Sequence, residues 1–551
     1  MTAPAANALI PSGPFVRRGP LTGTGALIRL ILRRDRVRLA IWILAVPAFA
    51  SSVGYAYQHM YDDASLAAQA AVMRTPTGIV LAGPGYGLDD YTAAAATANE
   101  LTLWLVSALA LLGILHVVRH TRAEEETGRL ELVTAQPVGR HAQAAAALVT
   151  LTVALALIAL LGTAALRALE GFAALDAAAM MTGSAAAGLS LGAVALVAVQ
   201  VTTSARIATA LSLVAVIAAF VVRAAGDVAE LHGSALSWLS PIAWAQQTRA
   251  FVDVRWWPVA LPVALAVVLV VAAAALAARR DLGAGLVAAR GGPARGRISS
   301  AAALAWRQQR GALGWTALGI AVMLFATGTM MSSIDEVMKD LVSDNAAFAA
   351  MLGDDPAGFH AAFLDVILMF ASTGVAAYAI GAMSRAATEE TSGRLELLLS
   401  LPVSRARWFG AQVLVAAVGA VLVLAVAVAS LWAGCAAVGM TDPAWAGFAR
   451  ALAFHTPAVL AFCGASAALV AALPRAAGIS WALLAAAFFL DMFGPLFDLP
   501  DAVIAVSPFH GASGSLSADA DPLPVAICGA VAAGLFAAAF AALRRRDLRA
   551  G

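Results

Sequence analysis

Apolar runs of about 20 residues recur twelve times along the chain, and each is long enough to cross a bilayer as an α-helix. The first six predicted spans lie at 38–57, 101–118, 143–166, 179–201, 206–223 and 258–278. The second six lie at 313–331, 362–383, 409–432, 447–471, 476–497 and 523–543. The pattern predicts an all-α polytopic membrane protein with twelve transmembrane helices.

The composition agrees with this prediction and excludes several other classes of protein. Of 551 residues, 61% are hydrophobic and 12% are charged, whereas about 25% of a soluble domain is charged. The 35 basic and 33 acidic residues nearly balance, so we expect no nucleic-acid partner. The cysteines Cys435, Cys463 and Cys528 lie in apolar runs without a C-x-x-C pair. We therefore expect no metal site, no redox motif and no catalytic residues.

A single lysine, Lys339, decides whether the chain can bind ATP through a phosphate-binding loop. That loop requires the pattern G-x-x-x-x-G-K-[ST], and no glycine precedes Lys339 in "DEVMKDL". The chain therefore lacks such a loop, and we expect it to hold no cofactor itself.

The distribution of basic residues predicts the orientation in the membrane, because cytoplasmic loops carry an excess of arginine and lysine. With a cytoplasmic N-terminus, 28 of the 35 basic residues fall on the inner side, while acids such as Asp62, Asp89, Asp335 and Asp354 fall outside. We expect a plasma-membrane protein with both termini in the cytoplasm. Residues 1–37 form a cytoplasmic N-terminus in which 21–37, "LTGTGALIRLILRRDRV", is predicted to lie along the inner interface as a helix.

The two halves of the chain resemble each other. "EEETGRLELVTAQPVGR" at 124–140 matches "EETSGRLELLLSLPVSR" at 389–405, "SPIAW" at 240 matches "SPFHG" at 507, and "RRDLGAG" at 279 matches "RRDLRAG" at 545. We predict two six-span repeats, 38–281 and 301–551, joined by a cytoplasmic linker at 282–300. Because six is even, both repeats enter from the same side and are parallel.

A charged segment joins the second and third spans of each half. Its members in the first half are Glu124, Glu125, Gly128, Arg129, Glu131 and Arg140, and those in the second half are Glu389, Glu390, Gly393, Arg394, Glu396 and Arg405. At helical spacing, Glu124, Gly128 and Glu131 share one face. One interpretation is a surface helix at the headgroups; the other, which the clustered glutamates favour because anionic lipids repel them, is a docking surface for a cytoplasmic partner.

This pattern, E-E-x-x-G-R-x-E-L-x-x-x-x-P-V-x-R, resembles the coupling helix of ABC exporter permeases of the type-2 class. Nearly the whole chain is similar to actinobacterial permeases that export polyketide antibiotics, including tetronasin-type ionophores. The resemblance implies two copies of a separate P-loop ATPase subunit, which carry ATP and Mg²⁺ and dock on the two segments. It also implies that the stretch 224–257 dips into the outer leaflet, although its counterpart 496–522 has neither tryptophan nor basic residues.

Charged residues within the spans are candidates for function. Glu100 and Asp365 begin the second span of each half, and Asp491 lies deeper in its span. They line the translocation path or stabilise the bundle, and Asp491 faces a cavity or pairs with a neighbour. His116 and His455 are expected near the interfaces. Spans rich in alanine, leucine and valine favour a hydrophobic small-molecule or lipid substrate. The alternative is a proton-coupled secondary drug transporter, in which these acids would relay protons.

Overall fold

The computed structural model describes residues 19–230, 232–281, 283–287, 298, 300–331, 356–494, 499–517 and 519–546. Within these ranges the regular structure is helical throughout. The N-terminal helices are α1 (Thr24–Met60), α2 (Asp63–Arg74), α3 (Pro76–Ala82), α4 (Ala93–His120), α5 (Arg122–Glu126), α6 (Arg129–Thr134), α7 (Ala142–Arg167), α8 (Ala174–Val201), α9 (Ala205–Ala229), α10 (Pro241–Gln246) and α11 (Ala260–Ala278). The C-terminal helices are α12 (Ala301–Thr329), α13 (Pro356–Thr391), α14 (Arg394–Leu399), α15 (Arg405–Ala437), α16 (Trp445–Ala472), α17 (Ile479–Phe493), α18 (Asp501–Ile504) and α19 (Leu523–Arg545).

Twelve of the described helices are long and apolar enough to cross a membrane. They are α1, α4, α7, α8, α9, α11, α12, α13, α15, α16, α17 and α19, and each overlaps one predicted span. The predicted all-α class and the number of spans are therefore confirmed. The predicted linker 282–300, the outer acids Asp335 and Asp354, and Lys339 lie mostly or wholly outside the described residues.

The helix predicted at 21–37 does not stand apart from the first span. Helix α1 runs without a break from Thr24 to Met60, so these residues form the first turns of the helix that contains the first span. At 1.5 Å per residue its 37 residues extend about 55 Å, well beyond the roughly 30 Å of the hydrocarbon core. Leu27, Ile31 and Leu39 are buried, so one stripe packs on the protein along this extension.

The chain divides into two compact units on either side of the 292–293 peptide bond. In the N-terminal unit the main helix pairs include α1 with α7, α4 with α8, and α8 with α11. In the C-terminal unit they are α12 with α15, α13 with α16, and α16 with α19. Both sets join the first span to the third, the second to the fourth, and the fourth to the sixth. The sequence repeat therefore corresponds to a repeat of helix packing.

Glycines allow the second and fourth spans of the first unit to approach closely. A Cβ atom built on Gly113 in α4 would lie 2.9 Å from the Cα of Gly192 in α8, and one built on Gly192 would lie 3.0 Å from the Cα of Gly113. Without a hydrophobic driving force in lipid, such close backbone packing is a main source of helix association.

We expect Gly113→Leu to separate α4 from α8, because even a methyl group at this position would collide with backbone atoms. Overpacking of this kind costs about 2 kcal/mol or more, which thermal unfolding of the detergent-purified chain would measure. Gly534→Leu is the matched control, since Gly534 lies in a spanning helix and a Cβ there meets nothing within 4 Å. Equal melting temperatures of the two variants would contradict this account of the packing.

One face of α9 remains uncovered by protein. Large apolar side chains at Ile207, Leu211, Val214, Ile217 and Val221 recur every three or four residues, and each is 44–61% exposed. A continuous apolar stripe of this kind is unfavourable in water. It fits contact with lipid chains and agrees with a multi-pass membrane protein.

Candidate functional site

A left-handed glycine divides the charged segment of the first unit. Helix α5 ends at Glu126 and α6 begins at Arg129, with Gly128 between them at φ +72°. The predicted common face of Glu124, Gly128 and Glu131 is therefore wrong, because the two glutamates lie on different helices. Glycine adopts this backbone conformation without the steric cost that a Cβ would bring, and it ends the hydrogen-bond ladder of α5.

The second unit repeats this break with one difference. Gly393, at φ +74°, precedes α14 as Gly128 precedes α6. However, α13 continues unbroken from its spanning part to Thr391, so Glu389 and Glu390 lie on the end of a spanning helix. Pro137 and Pro402 follow three residues after α6 and α14 end, where proline is common because it cannot continue a helix.

Glu125 forms a nearly buried ion pair with the arginine that follows the sixth span. Arg280 Nη2 donates to Glu125 Oε1 at 2.7 Å and Arg280 Nη1 donates to Oε2 at 3.0 Å, and each side chain is only 9% exposed. Arg122 Nη1 donates to the same Oε2 at 2.6 Å. Such paired, charge-assisted hydrogen bonds are strong and fix orientation. Glu125 therefore joins α5 to the end of α11.

Further bonds extend this junction to the third and fourth spans. Arg140 Nη2 donates to the carbonyl of Arg280 at 2.9 Å, and Arg280 Nε donates to Gln200 Oε1 at 2.5 Å. Arg122 Nε donates to the carbonyl of Val199 at 3.0 Å. One compact network thus ties the charged segment to the ends of α7, α8 and α11.

The second unit contains the same junction, built from the corresponding residues. Arg546 Nη2 lies 2.7 Å from Glu390 Oε1 and donates to Oε2 at 2.8 Å. Arg405 Nη1 donates to the carbonyl of Arg546 at 3.5 Å. Glu390, Arg405 and Arg546 correspond to Glu125, Arg140 and Arg280 in the sequence repeat. In each unit, the charged segment therefore meets the R-R-D motif that follows the sixth span.

The remaining acids of the two segments have separate contacts. Arg34 Nη1 donates to Glu124 Oε1 at 2.8 Å, so the start of α1 also holds this segment. Glu126 Oε2 accepts from the backbone N–H of Ala205 at 3.0 Å and caps α9. Glu389 lies 3.7 Å from Arg394.

The short helices α6 and α14 present charge outward. Leu130 and Leu395 are buried against their units, at 9% and 3% exposure. Arg129, Glu131, Arg394 and Glu396 are exposed, as is Leu397, at 75%. Of the twelve predicted docking residues, Glu125 and Glu390 therefore face inward. The four charged side chains just named are accessible. Their binding of a partner stays a prediction.

The three acids within the spans are each held inside their own unit. Glu100 accepts hydrogen bonds from Tyr57 Oη and from Gln69 Nε2, the latter at 2.8 Å. Ser515 Oγ donates to Asp365 Oδ1 at 2.9 Å. Asp491, 6% exposed, accepts from Ser507 Oγ and lies 4.0 Å from His510. Of the two interpretations left open for Asp491, the structure favours pairing within the bundle. A role of these acids in translocation stays a prediction.

His116 and His455, which are expected near the interfaces, are enclosed by protein. Both are buried, at 1% and 2% exposure. His455 Nδ1 is 2.9 Å from Ser372 Oγ, and His116 lies beside His120 and Asp35. The sequence pattern does not predict this cluster, because residues 21–37, which include Asp35, are expected to lie along the inner interface. The sequence feature that points to the cluster is the spacing of the two histidines, which are four residues apart and therefore lie on one face of α4.

Twelve helices long and apolar enough to cross a membrane, packed in two similar units with repeated charged junctions at the helix ends, are the features of a multi-pass membrane protein. The comparison with known families agrees: the family model described as "Multidrug efflux system permease Rv1217c, C-terminal domain" matches residues 26–277 and 298–544. The chain belongs to this family of multidrug efflux permeases. It is 34% identical to the multidrug efflux system permease protein Rv1217c of Mycobacterium tuberculosis (strain ATCC 25618 / H37Rv), over 97% of this chain and 96% of the relative.

Proposed function

We propose that this chain is the membrane subunit of an ATP-driven ABC exporter of the type-2 class. Two copies of a P-loop ATPase bind in the cytoplasm, one at α5–α6 and one at the end of α13 with α14. ATP and Mg²⁺ belong to those partner subunits. Both termini and both charged segments lie on the cytoplasmic side, as the arginine distribution predicts.

The observation that carries this proposal is the repeated junction between each charged segment and its sixth span. A headgroup-binding helix has no need of a nearly buried Glu–Arg pair, since its charges gain by reaching water. A helix that receives force from a partner needs a rigid link to the bundle. The Glu125–Arg280 and Glu390–Arg546 pairs supply that link at equivalent places, and two equivalent sites favour two identical partners.

The mechanism follows from this geometry. ATP brings the two ATPase subunits together, and each pushes on the exposed surface of α6 or α14. The charged junction passes the movement to the sixth span of the same unit and, in the first unit, also to the end of α8 through Val199. Each unit thereby shifts as a whole and changes which side of the membrane the path opens to.

The substrate in this proposal is a hydrophobic compound, either an antibiotic-like drug or a lipid. The name of the mycobacterial relative supports drug efflux. A mostly apolar, open groove of about 420 Å³ in the first unit also supports it, since Leu148, Leu196, Val270 and Ala273 line it beside Gln200 and His141. Its volume falls in the range of small-molecule sites. Export of polyketide antibiotics in particular rests on the sequence resemblance.

The test is affinity purification of the tagged full-length chain from its native membrane, followed by mass spectrometry. We expect a co-purifying P-loop ATPase at two copies per chain, and ATP-dependent drug efflux from reconstituted vesicles that contain both proteins. A chain that purifies without an ATPase, and whose drug transport collapses with a protonophore, would overturn the proposal in favour of a proton-coupled secondary transporter.

A further inference from the structure

Three side chains with metal-binding atoms meet in the interior of the first unit, next to the start of its charged segment. Asp35 comes from α1, and His116 and His120 come from successive turns of α4. All three are at most 2% exposed. One ligand atom from each lies within 4.8 Å of the other two. His120 Nε2 is 2.8 Å from Asp35 Oδ2, and His116 Nδ1 is 4.0 Å from the same oxygen.

The surroundings of His116 determine which of its nitrogens carries the proton. His116 Nε2 is 2.9 Å from Thr150 Oγ1. The Thr150 hydroxyl is directed at backbone carbonyls, with Ala146 O at 2.9 Å and Ala147 O at 3.0 Å. Since its proton is donated there, Thr150 accepts from His116, and Nε2 carries the hydrogen. A neutral His116 therefore presents the lone pair of Nδ1 to the cluster.

This lone pair has no hydrogen-bond partner, although His116 Nδ1 is buried. It faces a carboxylate oxygen, so two electron-rich atoms lie 4.0 Å apart in the protein interior. An unpartnered buried polar atom is costly, and a cation between the two atoms would satisfy both. The hydrogen bond from His116 to Thr150 is the outer contact that orients ligating histidines in metal sites.

We propose that Asp35, His116 and His120 bind one divalent transition-metal ion of the Zn²⁺ class. Two imidazoles and one carboxylate are a common ligand set for such ions. Tetrahedral Zn²⁺ holds neighbouring ligand atoms about 3.3 Å apart, so the 2.8 Å contact must open and the 4.0 Å contact must close by roughly half an ångström each. Rotation of the side chains would supply this change, and His120 would bind through Nε2 as the neutral tautomer that carries its proton on Nδ1.

Positive charges beside the cluster set the affinity. Arg119 Nε lies 3.2 Å from Asp35 Oδ1, the oxygen that does not face the histidines. This contact orients the carboxylate, as an outer-shell partner does. Arg38 lies 4.0 Å from Oδ2 and repels a dication. We therefore expect a dissociation constant in the micromolar range, which is weaker than that of a structural zinc site.

The second unit does not reproduce this site. At the offset of 265 residues, Gly381 corresponds to His116 and Arg385 corresponds to His120. Arg385 Nη1 donates to the carbonyl of Gln308 at 3.1 Å and supplies a fixed positive charge there. We therefore expect one ion per chain. That ion would join α1 to α4 and stabilise the first unit by mass action, whether or not an ATPase is bound.

The test is metal binding by the full-length chain, purified through a histidine-free tag and treated with a chelator. Zn²⁺ is titrated in while bound metal is counted by mass spectrometry and the melting temperature is followed. We expect one Zn²⁺ per chain and a rise in melting temperature, with no effect of Mg²⁺ because it prefers oxygen ligands. Co²⁺ should give the absorption bands of a tetrahedral nitrogen–oxygen site.

Matched variants distinguish the site from surface binding. His116→Gln and His120→Gln should each weaken Zn²⁺ binding at least about 100-fold, and Thr150→Val about 10–100-fold. His455→Gln removes an equally buried histidine of the other unit and should leave binding unchanged. If the histidine variants fail to fold, the wild-type titration still decides. Wild-type protein that binds no stoichiometric Zn²⁺, or that binds it as tightly after His116→Gln, would overturn the proposal.

Discussion

Glu125→Gln should destabilise the cytoplasmic end of the first unit more than any other neutral replacement in the two charged segments. The carboxylate of Glu125 neutralises two guanidinium groups, those of Arg122 and Arg280, which are 1% and 9% exposed. Removing one member of a buried ion pair typically costs 3–5 kcal/mol, because the remaining charge stays desolvated. Here two like charges would remain side by side.

The second unit provides an internal comparison. Among the described residues, Glu390 contacts one guanidinium, that of Arg546, which is 23% exposed, so Glu390→Gln should cost only about 1–2 kcal/mol. The double exchange Glu390→Arg with Arg546→Glu should recover part of this loss. Glu389→Gln is the control, since Glu389 is 20% exposed and lies 3.7 Å from a largely exposed arginine.

Thermal unfolding and hydrogen exchange measure these effects. In Glu125→Gln, peptides that cover α5 and the end of α11 should exchange faster, while peptides of the second unit keep their wild-type rates. Equal stability of Glu125→Gln and Glu389→Gln would show that the junction does not hold the segment. Retained ATPase binding together with lost efflux in Glu125→Gln would indicate that the junction transmits force rather than forming the docking surface.

Replacing both Glu131 and Glu396 with lysine should abolish ATPase binding and efflux without unfolding the chain. Both glutamates are exposed on the short helices α6 and α14, so reversal of their charge costs the isolated permease little. At an interface, a reversed charge faces a like charge and costs several kcal/mol. A loss of about 2 kcal/mol per site already weakens binding roughly 30-fold.

Stoichiometry makes this experiment decisive, because the two sites can be removed separately. Each single variant should retain one ATPase copy per chain and the double variant none, while melting temperatures match the wild type. Glu230→Lys is the control, since Glu230 is an exposed acid in the loop that follows α9, far along the chain from both segments. Normal assembly of the double variant would refute docking at α6 and α14, yet leave the permease class intact.

Sequence periodicity predicted the twelve spans well, because the bilayer requires an apolar run of fixed minimum length. It placed the boundaries less well. The polar turns of α1 between Thr24 and Arg38 looked like a separate helix, because arginines interrupt the apolar pattern. In the structure, buried Leu27 and Ile31 continue the same packed stripe, and nothing ends the helix.

The charged segments were found from the repeat, but the role of each residue was not. Helical spacing grouped Glu124 with Glu131, although Gly128 lies between them and a glycine often ends a helix in the left-handed conformation. The sequence pattern also does not distinguish the buried glutamates from the exposed ones. Only the fold shows that Glu125 and Glu390 meet arginines about 155 residues further along the chain.

The sequence by itself determined the class of protein, the number of spans and the duplication of a charged segment, because these depend on composition, run length and self-similarity. The tertiary structure decided which charges face inward, which stay accessible, and that Asp35 meets His116 and His120. Such contacts join residues far apart in the chain, and the packing of several helices creates them. The physical reason is that burial and interatomic distance are properties of the assembled helices rather than of any one segment. These two quantities determine the energy of an ion pair and whether side chains can bind one ion together.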